Sequence, residues 1–228
     1  VARPVIYHDA NAAVAGIPDG ASIMVGGFAA RGVATDLLVA LMAAGPKNLT
    51  IIANGMQERA DGSIDTGLLA KNGQVGKAIV SFPVTMASSR VNSFEQQVRA
   101  GLAALETVPQ GTLAERIRAG GAGIGAFFTP TGVGTPFAEG KEHRDFNGET
   151  SILEYGLRAD YAFVRAHQAD ELGNLVYRVT ARNFNPIMAA AATITIVEVD
   201  EVVPIGTLDP EGIVTPGIYV DRIFVKGR

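Results

Sequence analysis

Apolar runs and helical spacings alternate through the first half of the chain. "SIMVGGF" (22–28) is apolar without polar interruption, as a strand buried on both faces requires. "TDLLVALMAAG" (35–45) has the three-and-four spacing of an amphipathic helix closed by Gly45. "LTIIAN" (49–54), rich in β-branched residues, predicts a second strand, "KAIVSF" (77–82) a third and "AALETV" (103–108) a fourth. Helical spacing returns in "RVNSFEQQVRAG" (90–101), which again ends in glycine. This rhythm predicts βαβ units, hence an α/β fold with a mainly parallel sheet flanked by helices.

The second half is less regular. "TLAERIRAG" (112–120) opens with the spacing of a capping box, Thr112 and Glu115. "GGAGIGAFFTPTGVGT" (120–135) is too rich in glycine to continue that helix; its "GAFF" centre predicts a short strand and "TPTGVGT" a loop. Residues 136–148 are polar and charged, the pattern of an excursion or lid. "SILEY", "DYAFVRA" and "NLVYRVT" predict strands joined by turns such as "DELGN". "ARNFNPIMAAAA" (181–192) predicts a helix starting near Pro186. "TITIVEVDEVV" (193–203) alternates at period two, which predicts an edge or half-exposed strand with Glu198 and Glu201 in solvent. With no internal repeat and no linker, residues 1–228 are expected to form a single domain.

Composition removes several kinds of chemistry. A chain of 228 residues that is 47% hydrophobic is long enough for a substantial core. The charged fraction of 18%, against about a quarter in typical domains, fits a surface partly covered by a partner chain and equally a compact, alanine-rich monomer. A net charge of −4 gives no electrostatic reason to bind nucleic acid or an anionic membrane. The absence of cysteine excludes disulfides, thiolate nucleophiles and sulfur-ligated metals. His8, His143 and His167 are too scattered for a histidine metal site. No apolar stretch reaches the ~20 residues of a membrane span, and "VARPVIYHDA" lacks the apolar core of a signal peptide, so a cytoplasmic protein is expected.

The glycine cluster "MVGGFAARGVATD" (24–36) is the first candidate for chemistry. It fails the dinucleotide fingerprint, because Phe28 stands where a second spaced glycine belongs. It fails the P-loop pattern too, with Val33 and Ala34 in place of lysine and hydroxyl. What remains is a backbone open to close approach at the end of a strand. A ligand site and a plain tight turn both fit.

Together with "VPQGTLAERIRAGGAGIGAFFTPTGVGT", the same stretch resembles the alpha subunit of family I CoA-transferases of the 3-oxoacid type. That subunit's signature is an acidic or amide residue with glycine, an apolar run, G-G-F, a short spacer and G-x-P. It stands here as "DGASIMVGGFAARGVA" (19–34), with Ala34 replacing the proline. "EGK", "ARNFNPIM" and "VEVDEVVPIGTLDPEGIVTPGIYVDRI" extend the resemblance over nearly the whole chain.

The resemblance implies a fold of the CoA-transferase type and a ping-pong transfer of CoA from succinyl-CoA to a 3-oxo acid, with 3-oxoadipate favoured and acetoacetate as the alternative acceptor. Coenzyme A is then a co-substrate, and no cofactor or metal is expected. It also implies a beta subunit, in a hetero-oligomer, that carries the nucleophilic glutamate. Consistently, none of Glu58, Glu115, Glu142, Glu149, Glu198 and Glu201 sits in a glycine-rich turn that would present a nucleophile.

By the same resemblance Asn54 supplies an oxyanion-stabilising amide, and Gln110 contacts the substrate carboxylate. Gly27 and Phe28 form part of the substrate wall. Arg31, read from its place inside the glycine loop rather than from the resemblance, fits either a partner for a second carboxylate or an exposed or interface arginine. Where the family has a second asparagine after Asn54, this chain has Gly55, within "ANGMQERADG" (53–62). A non-enzymatic alternative, a ligand-binding regulatory module on a related fold, would need a basic phosphate cluster, for which Arg31 and Arg59 are the candidates nearby. A self-sufficient serine hydrolase lacks its G-x-S-x-G elbow.

Overall fold

In the computed structural model, which describes residues 3–59, 61–84 and 91–227, strands and helices alternate along most of the chain. It begins with β1 (Val5–Tyr7) and the short helix α1 (Ala10–Val14). β2 (Ser22–Val25), α2 (Thr35–Ala44), β3 (Leu49–Gly55), α3 (Gly67–Lys71), β4 (Val75–Phe82), α4 (Ser93–Arg99), β5 (Ala104–Thr107) and α5 (Gln110–Gly121) follow. A β-rich stretch comes next: β6 (Ala126–Thr129), β7 (His143–Phe146), β8 (Glu149–Tyr155), β9 (Ala159–Arg165), β10 (Gln168–Asp170) and β11 (Leu175–Val176). The chain closes with α6 (Asn185–Ala191), β12 (Ala192–Val199), β13 (Glu201–Val203) and β14 (Arg222–Val225).

Eight of these strands form one sheet in the order β1-β14-β12-β9-β2-β3-β4-β5, and every pairing in it is parallel. Parallel strands must be buried on both faces, and the side chains divide accordingly. Ile23, Val25, Ile51 and Ala53 pack with α1–α4 through Val14, Leu38, Leu69 and Phe94. Met24 and Ile52 face the opposite layer, where Leu113 and Ile117 of α5 meet Met188 of α6. A small antiparallel sheet, β6-β8-β7, and a third sheet, β11-β10-β13, flank this core. Among the described residues no helix is long and apolar enough to cross a membrane.

The helix stop at Gly45 is as expected: at φ 78° its amide bonds Leu41 O at 3.1 Å. So is the start of α6, with Pro186 in its first turn. Residue 90, the first of the expected 90–101 helix, lies outside the described residues, and α4 is capped by Asn92, whose side chain accepts from Glu95 N. Four expectations are corrected. Residues 136–148, expected as an excursion or lid, hold a 3₁₀ turn over Pro136–Ala138 and then the β7 arm and turn of the β7–β8 hairpin. Its turn is Asn147-Gly148, with φ 51° and 84°, the type I′ pair that favours such sequences.

Thr112 does not begin a helix; α5 starts at Gln110. Thr112 is buried within it with its hydroxyl unpartnered among the described residues, and Glu115 pairs with Arg118 instead. "NLVYRVT" yields only the two-residue β11 before a 3₁₀ turn over Val179–Arg182. β12 is an interior strand, bonded to β9 and β14, and the polar side chains of its buried half, Thr195 and Glu198, are held within the protein rather than in solvent. Thr195 Oγ1 donates to Ala189 O at 2.9 Å, and Glu198 is completely buried.

Candidate active site

The strand order reverses between β2 and β9: β3, β4 and β5 build outward on one side, β12, β14 and β1 on the other. The crevice at the carboxyl ends of strands at such a switch point is where open α/β sheets bind ligands. The glycine loop leaves β2 there. Phe28 and Arg31 exchange two backbone hydrogen bonds, 2.9 Å each, around a two-residue turn in which Ala29 and Ala30 have φ of 48° and 63°. This is a type I′ hairpin turn built on alanine instead of asparagine and glycine. A left-handed alanine costs roughly 1–2 kcal/mol per residue, so the surroundings must hold it.

The segment 181–185 is packed against the loop. A Cβ on Gly26 would lie 1.9 Å from Asn185 Oδ1, and one on Gly32 would lie 2.3 Å from Ala181 O. The glycines therefore open the backbone to close approach, as their cluster suggested, and this chain's own residues fill that space. Asn185, fully buried, accepts from Arg165 N and donates to Gly32 O and Ala181 O, all at 2.9 Å. Asn183 and Asn185 were absent from the candidates drawn from sequence. The available signal was "NFN" ahead of a proline-started helix, a pattern that also fits an ordinary cap.

Asn54 and Gln110, 56 residues apart in sequence, are in contact: Gln110 Nε2 donates to Asn54 Oδ1 at 2.5 Å. Asn54 is the penultimate residue of β3 and Gln110 the first of α5, whose N-cap Pro109 offers no side-chain bond. Because Gln110 occupies the carbonyl oxygen of Asn54, the amide N–H groups are left as donors. Asn54 lines a cavity of about 20 Å³, the size of one water, together with Gly27, Phe28, Ala29, Gln57, Asp65 and Thr66. Burial pushes the Asp65 carboxyl above its ordinary range, against opposing hydrogen bonds from Thr66. Gly55, the departure from the family pattern, has a packing reason: a Cβ there would lie 2.6 Å from Phe82 O.

On the other side of the hairpin tip an open groove of about 540 Å³ is lined by Arg31, Arg165, His167, Arg178, Thr180 and Asp200, among others. Ala30 and Val33 line both spaces. Arg165 is held by Asp200 and by Glu198. Burial pushes Asp200 up, but His167 and Arg165 outweigh it and keep its carboxyl below the usual range. Arg31 has no carboxylate partner among the described residues. Arg59 borders a separate depression with Glu58 and Lys71, so the two arginines do not form one cluster. Gln110 lines neither the cavity nor the groove directly, but reaches the cavity through Asn54.

Among the described residues no glutamate borders the Asn54 cavity. Glu58 caps α4, its Oε1 accepting from Ser93 N at 2.7 Å. Glu149 begins β8, and Glu142 pairs with Arg144. Glu201 is exposed as expected. Glu198 is not: its Oε2 accepts from Asp36 N and Leu37 N at the start of α2, while Arg165 and Lys226 stand 3.5 and 3.6 Å from its Oε1. Among the described residues no group of three His, Cys, Asp or Glu is arranged to hold a metal ion.

A family model described as coenzyme A transferase matches residues 7–226. The A-type subunit of the 3-oxoadipate CoA-transferase of Pseudomonas putida is 51% identical over 217 residues, 95% of this chain and 91% of the relative. The A-type subunit of a probable succinyl-CoA:3-ketoacid coenzyme A transferase of Bacillus subtilis (strain 168) is 48% identical over 209 residues, covering 92% and 84% respectively. Among solved structures, the acyl-CoA transferase YdiF of Escherichia coli O157:H7, a thioester complex with CoA, superposes with a TM-score of 0.82 at 24% identity. That match takes in 98% of this chain and 47% of the YdiF chain, so this chain spans about half of YdiF's length.

Proposed function

Because this chain belongs to the coenzyme A transferase family, we propose that it is the alpha subunit of an enzyme that moves CoA from succinyl-CoA to a 3-oxo acid, with 3-oxoadipate the favoured acceptor. The nucleophile is a glutamate of the partner subunit. Its carboxylate attacks the thioester carbonyl of succinyl-CoA, and the CoA thiolate leaves as an acyl-glutamyl anhydride forms. The thiolate then attacks the glutamyl carbonyl and releases succinate, leaving CoA on the glutamate as a thioester. The same steps in reverse, with the 3-oxo acid carboxylate as attacking group, pass CoA to the acceptor.

The observation that carries this reading is the Gln110–Asn54 contact. It leaves the Asn54 N–H groups without an acceptor among the described residues, beside a cavity lined also by Gly27, Phe28, Gln57, Asp65 and Thr66. A neutral donor fixed in this way suits a charge that appears only as the tetrahedral oxyanion forms, and it needs no reorganisation when the charge develops. Gln110, which does not itself line the cavity, acts by orienting that donor. Phe28 and Gly27 form the wall against the substrate, and Arg31 meets the second carboxylate of a dicarboxylic acceptor. That no glutamate among the described residues borders the cavity supports a nucleophile supplied by the partner. So do two exposed apolar groups, Phe28 at the cavity (46% exposed) and Val179 at the groove (82%), which a second chain would cover.

The test is the reconstituted pair assayed with succinyl-CoA and a panel of 3-oxo acids. Wild type is expected to turn over 3-oxoadipate faster than acetoacetate. Asn54→Ala is expected to assemble normally and to lose about 10²–10³ in kcat. An unchanged kcat would remove the oxyanion role from Asn54.

A further inference from the structure

Asn183 grips both arms of the hairpin that separates the cavity from the groove. Its Oδ1 accepts from Gly27 N at 3.0 Å, ahead of the turn, and its Nδ2 donates to Arg31 O at 2.9 Å, behind it. The same side chain accepts from Phe184 N at 2.7 Å and donates to Thr180 O at 3.0 Å. Both ends of the amide are thus used, the oxygen toward N–H groups and the nitrogen toward carbonyls, and the geometry admits only one orientation of the side chain. Arg31 O receives two donors, Phe28 N and Asn183 Nδ2.

Between these anchor points lie Ala29 and Ala30, both in the left-handed region. Nothing in their own chemistry favours that conformation, unlike the Asn147-Gly148 turn elsewhere in this chain. A tertiary contact has to supply what the turn residues do not. We propose that Asn183 is a positioning residue for the transfer reaction. It clamps this hairpin shut and thereby fixes Phe28 and Arg31 at the substrate wall. The proposal rests on the transferase reading above for its catalytic consequence, but not for the clamp itself.

The test is a double-mutant comparison in the reconstituted pair. Asn183→Ala is made in the native turn and in a background carrying Ala29→Asn and Ala30→Gly, which holds a type I′ turn by local preference. In the native turn Asn183→Ala is expected to lower kcat by about 10- to 100-fold, because a wall displaced by about an ångström misaligns the reacting groups. In the Asn-Gly background the same substitution is expected to cost less than about threefold, since the turn then holds itself. An equal loss in both backgrounds would overturn the proposal, because Asn183 would then act by touching substrate or by supporting the fold at large.

Amide hydrogen exchange gives a second, activity-free readout. Phe28 and Arg31 should exchange faster in Asn183→Ala and recover protection in the Asn-Gly background. Unchanged exchange in Asn183→Ala would sink the clamp. If the wild-type pair transferred no CoA, the functional reading would fail and the exchange arm would still decide the clamp. Should Asn183→Ala not fold, Asn183→Asp replaces it: the acceptor for Gly27 N is kept and the donation to Arg31 O is lost.

Discussion

Ser22 and Asp160 stand at the start of β2 and β9, the two strands that flank the switch point, and show how single residues tie the sheet. Ser22 donates to Asp160 Oδ2 from both its amide, at 2.8 Å, and its hydroxyl, at 2.6 Å. Those bonds hold the Asp160 carboxyl below its usual range. A carboxyl whose folded pKa is depressed stabilises the native state fully above its unfolded value, about 3.9, and loses that contribution as pH falls through the folded value. Asp160→Asn should therefore lower the urea midpoint near neutral pH, and the gap to wild type should close below about pH 3.9. A gap independent of pH would refute the linkage. Asn54 was legible in the sequence as a strand-end amide, and Gln110 as a family match, but their mutual contact was not. Only the order β3-β4-β5 brings the end of β3 and the start of α5 together. Glu198 was misplaced because a buried, paired carboxylate leaves the same alternating pattern as an exposed one.

At the scale of elements, the loop after β2 and the helix that follows it are held by the C-terminal half of the chain. Ala34, the N-cap residue of α2, has no side chain to cap with. Glu198 supplies the missing acceptor from β12, where negative charge also complements the positive end of the helix dipole. Burial pushes the Glu198 carboxyl up, while Lys226 and Arg165 oppose that shift and Asp36 adds to it. Glu198→Ala would leave two amide donors without their acceptor and remove one of the two carboxylates that hold Arg165. It is expected to destabilise the fold by about 3–5 kcal/mol. Glu198→Gln, which keeps an acceptor, should lose clearly less. Equal losses in thermal or urea unfolding would show that packing, not the polar contact, is what matters there. Local sequence carries no sign of such a cap, because its two parts lie 162 residues apart. The capping box at Thr112 failed for the converse reason. The pattern was present, but α5 begins two residues earlier, and Thr112 is turned into the core.

For the whole molecule, the alternation of apolar runs with amphipathic segments was enough to give a parallel sheet with helices on both faces, since only doubly buried strands are apolar throughout. Strand order, and with it the switch point, came only from the structure. Periodicity says which faces are buried but not which strands are neighbours. The β11-β10-β13 sheet was the least legible part, because strands of two or three residues carry too few positions to show a period. Among the described residues the site has a donor, a wall and a groove but no glutamate beside the cavity, and the proposed reaction takes its nucleophile from a second chain. That division of labour is tested most directly by incubating the assembled pair with succinyl-CoA and reducing the trapped thioester with borohydride. The mass of each chain is then measured. Activity should be lost with the modification on a glutamate of the partner, and this chain should remain unmodified. A modified residue on this chain, or full transfer by this chain alone, would show that the nucleophile is not the partner's.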